Sequence, residues 1–429
     1  MKRLLLWNSG GAQRHHFTAP LLIILLAAGA TSLQANAQET GASQIGATVE
    51  SVLDAARYLS PNLRAAALST SAASARADRA DALDDPTLSA QTMQVPGNRA
   101  SMDQTTILLQ QDIPLWGKLG LRKSAALATL DAARGEEAAT AAELNEKIEV
   151  TFASYYKASK ALAINTDVAR ISTDMAKVAA SRYGQAVGSQ ADGLAAQAEV
   201  TRASIERVRL KRELSIAAAQ LNGLLARSPD APLAEPERLR DLPHPVPGIN
   251  ALLDRLRSAN PDLLAQDARV RSAEAQRDLA EKAWYPDITL GAGPQTNYGS
   301  IGYAATVGIK IPLQRGAKES AEEEADANLG AEQARLAGRS AEVESELSQA
   351  LAALSAAEEI GLARREQLVP QLNAAYKSSL AEYANGRGDL TMTLDAVHRL
   401  HDTQIDLLDT DVEGQVALAM IERLIGGRP

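Results

Sequence analysis

Two stretches of the chain carry apolar or small residues at alternating spacings of four and three. The first stretch is Leu144, Ile148, Thr151, Tyr155, Ala158 and Leu162, and the second is Val343, Leu347, Ala350, Leu354, Ala357 and Gly361. This spacing is typical of the seam between packed helices in a coiled coil. Since no proline occurs between Pro114 and Pro229, we predict a continuous helix from Leu119 to about Arg182, ~95 Å long at 1.5 Å per residue.

A second pattern, alternation of apolar with small or polar residues, precedes each long helix. Residues 288–292 and 303–311 alternate in this way, which predicts two strands with one apolar face. Two further candidate strands cover residues 88–95 and 105–113. We expect two hairpins, the first joined through Pro96, Gly97 and Asn98, and the second through a loop that contains Gly293, Pro294, Asn297 and Gly299.

Four strands cannot close a barrel, because about eight strands are a practical minimum. If these strands span a membrane, several chains must contribute to one barrel.

The same order of features occurs twice along the chain. Residues 51–86 align without a gap over residues 251–286, at an offset of 200. The offset is 198 at the two Ile-Pro-Leu elements, 199 along the two helix seams, and 200 again at Tyr183 and Tyr383. Such conserved order indicates an internal duplication. The fold class is therefore mainly α with a small β part.

The N-terminus predicts export. Lys2 and Arg3 precede an apolar run of about a dozen residues, which is too short to span a bilayer, and a small-residue site ends at Ala37; this is the pattern of a secretory signal peptide. We therefore expect a signal peptide at residues 1–37 and two repeats, 38–246 and 247–429. Each repeat would contain a helix, a hairpin, a long helix, a turn and a helix.

Composition narrows the function further. Without residues 1–37 the net charge is -12, and no basic patch that would bind nucleic acid is visible. The chain has no cysteine, which excludes disulfides, thiolate metal ligands and a lipidated N-terminal cysteine. Nucleophile, phosphate-loop and metalloprotease motifs are absent. We expect neither a cofactor nor enzymatic activity.

Two charged features have a simple interpretation. His398 and His401 are three residues apart on a predicted helix and could share a metal ion. Since the sequence offers no third ligand, solvated histidines on a helix face are the favoured interpretation. The acidic residues 322–326 open a helix and suit its dipole better than they suggest a cation site.

Aromatic residues cluster where strands meet helices. Trp116 follows the first hairpin, Trp284 and Tyr285 precede the second, and Tyr303 lies within it. Amphipathic rings at strand ends are typical of a membrane interface. Core aromatics of a soluble hairpin would give a similar pattern.

A third group of residues lies in the turn between the two long helices of each repeat. The turn residues are Tyr183, Gly188, Tyr383, Gly386 and Gly388, and acidic residues follow at Asp192, Asp389 and Asp395. The glycines predict the helix break, and Asp389 is expected to be an N-cap. If several chains gather their turns around one axis, the aspartates form a ring of negative charge at an entrance.

With these residues in place, the chain resembles the TolC-like outer membrane factors, the outer-membrane efflux proteins of Gram-negative bacteria. The resemblance rests on the duplicated plan, on Asn260-Pro261-Asp262-Leu263, on the Ile-Pro-Leu strand ends and on the turn from Tyr383 to Ala396. It implies a homotrimer in which twelve strands form a barrel in the outer-membrane lipid and twelve helices continue as a periplasmic α-barrel. The implied partners are a periplasmic adaptor and an inner-membrane efflux pump.

The details depart from the family in three places. Ser60 replaces the motif asparagine in the first repeat, and the lipidated N-terminal cysteine of many members is absent. Where the family often has two acids three residues apart, the second turn has Met392 and Asp395, so an entrance ring would alternate Asp192 with Asp395.

Residues 114–118, Pro-Leu-Trp-Gly-Lys, look most like the branch that exports cations and heavy metals.

The sequence therefore predicts a passive export duct. One alternative is a soluble periplasmic coiled-coil adaptor or scaffold, in which protein would cover the hairpins. Another is a periplasmic metal-binding protein that uses His398, His401 and the acidic turn.

Overall fold

The computed structural model describes residues 45–95, 102–297 and 300–428, so the expected signal peptide and the first hairpin loop lie outside the described residues. The first half contains α1 (Val49–Leu59), α2 (Pro61–Arg79), β1 (Thr87–Val95), β2 (Met102–Ile113), α3 (Lys118–Gly184) and α4 (Gln190–Leu224). The second half contains α5 (Ile249–Ala259), α6 (Pro261–Lys282), β3 (Asp287–Asn297), β4 (Ser300–Lys310), α7 (Arg315–Ala363), a π-helical turn (Arg364–Leu368), α8 (Val369–Ala384) and α9 (Leu390–Leu424). The fold is mainly helical with a small sheet, as predicted.

Among the helices of the described residues, none combines the length and the hydropathy of a membrane-spanning helix.

The helices that precede the hairpins begin at a capped proline. Asn260 is the N-cap of α6, and its Oδ1 accepts a hydrogen bond from the backbone N–H of Leu263 at 2.9 Å. Pro261 takes the first helical position, where an N–H would have no helical partner. Ser60 caps α2 in the same way through a longer bond of 3.5 Å. Both versions of the predicted motif therefore start a helix.

The predicted long helix is confirmed. α3 runs without interruption for 67 residues, about 100 Å at 1.5 Å per residue. All six positions of the second predicted seam are buried. In the first seam four positions are buried, whereas Thr151 and Leu162 are half-buried. Phe152, 1% exposed, joins the first seam to the packed side chains around Leu221.

The long helices pack side by side. Near the sheet the neighbours follow the order α2, α3, α6 and α7. Away from the sheet the order is α4, α3, α9, and then α7 with its continuation α8. Each level of the chain therefore contains four helices, with α2 or α4 at one edge and α7 or α8 at the other.

The four strands form one antiparallel sheet in the order β1-β2-β3-β4. The second hairpin loop is shorter than predicted, because Gly293, Pro294 and Asn297 belong to β3, while Gly299 lies outside the described residues. Pro294 is paired with Tyr303 of β4, but the pairing of β3 with β2 is interrupted beside it, since proline has no N–H to donate. At Gly293 a Cβ atom would lie 1.8 Å from the Ile107 carbonyl oxygen, so only glycine fits there.

Residues 225–248 link the two halves and are held by a buried ion cluster. Arg240 Nη2 lies 3.0 Å from Glu149 of α3, and its Nη1 lies 3.0 Å from Glu422 of α9. The Arg240 carbonyl oxygen also accepts a hydrogen bond from Gln415 at 2.6 Å. Burial, together with the Glu422 carboxylate, raises the pKa of Glu149 to about 7, although Arg240 opposes the shift.

This cluster predicts a pH-dependent stability. Because folding raises the pKa of Glu149, its contribution to stability is complete in acid and is lost as the pH rises through about 7. We expect the thermal unfolding midpoint of the detergent-solubilised protein to fall between about pH 4.5 and pH 7, and to level off at higher pH. Glu149→Gln keeps the shape of the protonated acid and should flatten this slope.

The control is Glu143→Gln, which changes an exposed carboxylate on the same helix. It should retain the wild-type slope. Identical slopes for the wild type and Glu149→Gln would contradict the assignment of the proton to this cluster.

Candidate functional site

The two turns at the end of the helices away from the sheet share one backbone geometry. Gly188 N–H donates to the Arg182 carbonyl oxygen at 3.1 Å, and Gly388 N–H donates to the Glu382 carbonyl oxygen at 3.0 Å. These bonds satisfy carbonyl groups that have no partner inside the helix. The predicted helix breaks are therefore confirmed at both places.

Glycine is required in these turns for steric reasons. A Cβ atom on Gly388 would lie 2.8 Å from the Tyr383 nitrogen, and one on Gly188 would lie 2.9 Å from the Arg182 Cβ. Gly386 has φ +74°, in the left-handed region that favours glycine. Ala186, its counterpart in the first turn, has φ +58°, so the first turn holds a non-glycine residue in a less favourable conformation.

An arginine joins the two turns. Arg182 Nη1 donates a hydrogen bond of 2.7 Å to the Tyr383 carbonyl oxygen, and its guanidinium carbon lies 4.6 Å from the centre of the Tyr383 ring. A charged donor and a cation–π contact act together here. The end of α3 is thus attached to the end of α8.

The two matched tyrosines have different environments. Tyr183 is 54% exposed, whereas Tyr383 is 1% exposed. Tyr383 packs with Met175, Leu390 and Val397 in a small apolar cluster. Its hydroxyl is buried and has no hydrogen-bond partner within the described residues. The two repeats are therefore not equivalent at this end of the chain.

Two of the three predicted acidic residues, Asp192 and Asp389, lie close to this contact. Burial raises the pKa of Tyr383, and the carboxylates of Asp192 and Asp389 raise it further against the effect of Arg182. Asp389 occupies the N-cap position of α9, but its side chain makes no capping hydrogen bond. Asp395 forms an exposed ion pair of 2.9 Å with Arg399.

The two histidines of the metal-binding alternative face different partners. His398 Nε2 lies 3.0 Å from Glu199 of α4, whereas His401 Nδ1 lies 3.1 Å from Asp402. Within the part of the chain that the structure describes, no three His, Cys, Asp or Glu side chains are placed to hold one metal ion. His398 is better explained as a contact between α9 and α4, and His401 as a contact within α9.

The predicted aromatic residues lie near both ends of the sheet. At the helix end, Trp116 donates from Nε1 to the Pro286 carbonyl oxygen at 2.8 Å, and its ring centre lies 5.2 Å from that of Tyr285. Trp284 donates to Glu322 at 3.0 Å. Tyr303, 89% exposed, lies near the hairpin end of β4.

The sheet has one mainly apolar and one mainly polar face. From the strand register, one face carries Leu88, Ile107, Leu109, Leu290, Ile301, Tyr303, Val307 and Ile309, all of them exposed. The opposite face carries Ser89, Gln91, Gln104, Thr106, Thr289, Gly291, Gln295 and Thr306. Such a sheet suits apolar surroundings on one side and water on the other.

Comparison with known proteins gives a family match over most of the chain. A family model described as outer membrane efflux protein matches residues 52–227 and again residues 252–427. The outer membrane protein OprJ of Pseudomonas aeruginosa is 27% identical over 361 residues, which cover 77% of this chain and 72% of OprJ.

Solved structures share the fold. A membrane protein from Pseudomonas aeruginosa has a TM-score of 0.77 at 21% identity, covering 96% of this chain and 97% of its own. The outer membrane protein VceC from Vibrio cholerae has a TM-score of 0.76 at 21% identity, covering 89% and 96% respectively.

The contact between the turns predicts a local effect of Arg182→Ala. A hydrogen bond with a charged donor contributes about 1.5–3 kcal/mol, so its loss should loosen the second turn. We expect faster amide hydrogen exchange in residues 383–388, measured by mass spectrometry, with little change around Gly188. Arg387→Ala, which removes an exposed arginine from the same turn, is the control and should exchange as the wild type does. Equal exchange in both variants would show that the contact does not hold the turn.

Proposed function

Because the chain belongs to the outer membrane efflux protein family, we propose that three copies of it assemble into one passive export duct. The resemblance to TolC-like outer membrane factors is thereby confirmed. The protein lies in the outer membrane and extends into the periplasm, and it is a channel component, not an enzyme. The proposal concerns the number of copies, the path of the substrate and the partners.

The open edges of the sheet carry this proposal. In the described structure β1 pairs only with β2, and β4 pairs only with β3. Two copies would supply eight strands, a barrel whose interior is filled by side chains. Three copies supply twelve strands and, at each level, twelve helices. Three is therefore the smallest number that leaves an aqueous passage.

The edges of the helical layer support a ring of copies. On one edge α4 exposes Leu194, Ile205 and Val208, which are 66%, 66% and 69% exposed. On the other edge α7 exposes a seam of small residues, namely Ala327, Ala331, Ala334, Gly338, Ala341, Ser345, Ser348 and Ala352. Since the two edges differ, contact between copies is head-to-tail, and head-to-tail contacts form a ring when the rotation from one copy to the next closes.

The faces of the sheet support a position in the lipid. Along the strands, the position of Tyr303 lies about nine residues from that of Tyr285. This separation is roughly 30 Å at 3.3 Å per residue. A strand tilt of about 40° reduces this to ~23 Å, close to the ~25 Å height of an outer-membrane apolar band. We therefore place Trp116, Trp284, Tyr285 and Tyr303 at the two lipid–water interfaces.

We place the periplasmic entrance at the two turns, with Asp192, Asp389 and Asp395 around it. A periplasmic adaptor and an inner-membrane pump are the proposed partners, because a passive duct needs another component to supply energy. Negative charge at an entrance favours cations, which is consistent with metal cations as the substrate. We also propose that residues 38–246 and 247–429 are copies of one ancestral unit.

The direct test is reconstitution of the mature protein. It should remain in the membrane fraction after carbonate treatment. In detergent it should migrate as a trimer, and in a planar bilayer it should conduct ions. A soluble monomer without conductance would favour the alternative of a periplasmic adaptor or scaffold.

The assignment of the sheet faces predicts opposite results for neighbouring residues. Val307→Lys places a charge on the apolar face, at a cost of about 2–4 kcal/mol near the bilayer midplane. We expect it to lower the amount of trimer in the outer membrane, measured by quantitative immunoblotting. Thr306→Lys, one residue away on the polar face, should assemble as the wild type does. Equal losses in the two variants would contradict the assignment.

The entrance predicts an effect of removing two carboxylates. We measure the concentration of a divalent cation, added on the periplasmic side, that halves the conductance. Asp192→Ala combined with Asp395→Ala should raise this concentration several-fold. The control is Asp174→Ala, an exposed aspartate that pairs with Lys177 at 3.0 Å, about 15 Å from the turn at 1.5 Å per residue. Unchanged blockade in the double variant would rule out these carboxylates as the entrance site.

A further inference from the structure

Each long helix of the second half has a counterpart in the first half. The offset is 200 between α2 and α6, 199 between α3 and α7, where Leu130 matches Leu329, and 200 again between α4 and α9. The last change comes from the π-turn at Arg364–Leu368, because a π-turn holds one residue more than the α-helical turn that it replaces. Every contact within the chain can therefore be compared with its counterpart residue by residue.

One side of α3 is covered by the second half of the same chain. This side consists of eight residues that are all buried or half-buried, namely Ala128, Ala132, Gly135, Ala139, Ala142, Glu146, Glu149 and Ala153. A Cβ atom on Gly135 would lie 2.7 Å from the Ala265 Cβ of α6. The hydroxyl oxygens of Thr129 and Ser272 are 3.1 Å apart. Near the sheet α6 thus covers α3, and farther from the sheet α9 does so.

The counterparts of these residues are exposed on both edges of the chain. An offset of 199 turns the eight positions of α3 into the α7 seam from Ala327 to Ala352, in which all eight residues are exposed. On the other edge, α2 exposes Ala65, Leu68, Ala72 and Ala75. Their counterparts on α6 are all buried, namely Ala265, Ala268, Ser272 and Ala275. The two sides of a second such contact are therefore present, one on each edge.

The charges on these surfaces fit the same register. Within the described residues, five ion pairs join α3 to the second half: Lys118–Asp287, Asp131–Arg271, Glu136–Arg269, Glu146–Arg423 and Lys157–Asp409. For three of them both counterparts are uncharged: Ala317 with Thr87, Gly330 with Ser71, and Ser345 with Gly223. A single charged member would lie unpaired in a covered seam, which is strongly destabilising. The joint absence of both charges is what contact in this register requires.

The other two ion pairs have one charged counterpart each. Arg335 corresponds to Glu136, and it pairs with Glu332 of its own helix. Arg209 corresponds to Asp409, and its Nη1 lies 3.6 Å from Glu206, also on its own helix. Neither arginine needs a neighbouring copy to supply its counter-charge.

We propose that α7 of one copy meets α2 and α4 of the next copy in the register in which α3 meets α6 and α9 within the chain. Ala334 then faces Ala65 of the next copy, and Ser345 faces Gly223 of the next copy. This inference rests on the proposed function, which brings the two edges together without giving their register. It also makes the two junctions distinct, because Ser345 and Ser348 stand where α3 has Glu146 and Glu149.

Disulfide trapping tests this register. The chain has no cysteine, and Ala65, Ala72, Asn328 and Ala334 are exposed within one copy. Two cysteines can form a disulfide when their Cβ atoms lie about 3.5–4.5 Å apart. Since alanine replaces Gly135 in the seam between copies, the helices there must lie farther apart than at the 2.7 Å contact, which brings the Cβ atoms toward this range.

The design uses two matched and two crossed pairs. Ala334→Cys with Ala65→Cys, and Asn328→Cys with Ala72→Cys, should each give covalent trimers on non-reducing gels after mild oxidation. The crossed pairs, Ala334→Cys with Ala72→Cys and Asn328→Cys with Ala65→Cys, displace one cysteine by ~10 Å at 1.5 Å per residue. They should give several-fold less covalent trimer.

The outcomes separate the register from the duct. Equal yields from matched and crossed pairs would overturn the register. So would the absence of disulfides from the matched pairs while the protein without cysteine still migrates as a trimer in detergent. If the protein without cysteine forms no trimer, the proposed function fails, and the register fails with it.

A transplanted ion pair tests the seam farther from the sheet. Ser345 and Gly223 are exposed within one copy, and a Cβ atom on Gly223 would meet nothing within 4 Å, so the single chain should still fold. Ser345→Glu or Gly223→Arg alone should lower the fraction of trimer in detergent several-fold, because each places an unpaired charge in the seam. The double variant copies the Glu146–Arg423 pair and should restore the wild-type fraction. A double variant no better than the worse single variant would overturn the register.

Discussion

The unpaired backbone at the two edges of a four-stranded sheet is the constraint on which the rest of the structure depends. Water can satisfy these groups only outside the lipid, and within hydrocarbon each unsatisfied N–H or C=O costs several kcal/mol. The edges β1 and β4 must therefore meet edges of other copies. The helical layer likewise has two unlike edges that can meet those of other copies. The apolar face of the sheet suits the same lipid surroundings.

Most of the fold is local in its causes, which is why the sequence predicts it. The period of the apolar residues shows which side of an element is buried. It alternates between four and three along the helix seams and is two along the strands. The second hairpin loop is shorter than the sequence predicts, because Pro294 belongs to β3 and not to the loop. In the structure Pro294 of β3 keeps its pairing with β4 on one side, and the missing N–H interrupts only the pairing with β2 on the other side.

The contacts that organise the entrance and the linker are not local. Arg182 and Tyr383 are 201 residues apart in the chain, and Arg240 and Glu422 are 182 apart. No spacing rule connects such pairs, and arginines on long helices are commonly solvated. The aspartates at the turns were found from composition and position, whereas the arginine beside them was missed. The π-turn did leave a signal, the change of offset from 199 to 200, but only the structure shows where the extra residue is absorbed.

The continuous seam along α3 also limits how the protein can change during evolution. A helix of 67 residues keeps its partners only if an insertion restores the same face, so that additions of about seven or eleven residues are tolerated and others rotate the apolar side into solvent. The helices packed on it must then lengthen by the same amount. The length of the periplasmic part can therefore change only by whole helical repeats, and in both halves at once. A partner adapted to one length would not fit the next.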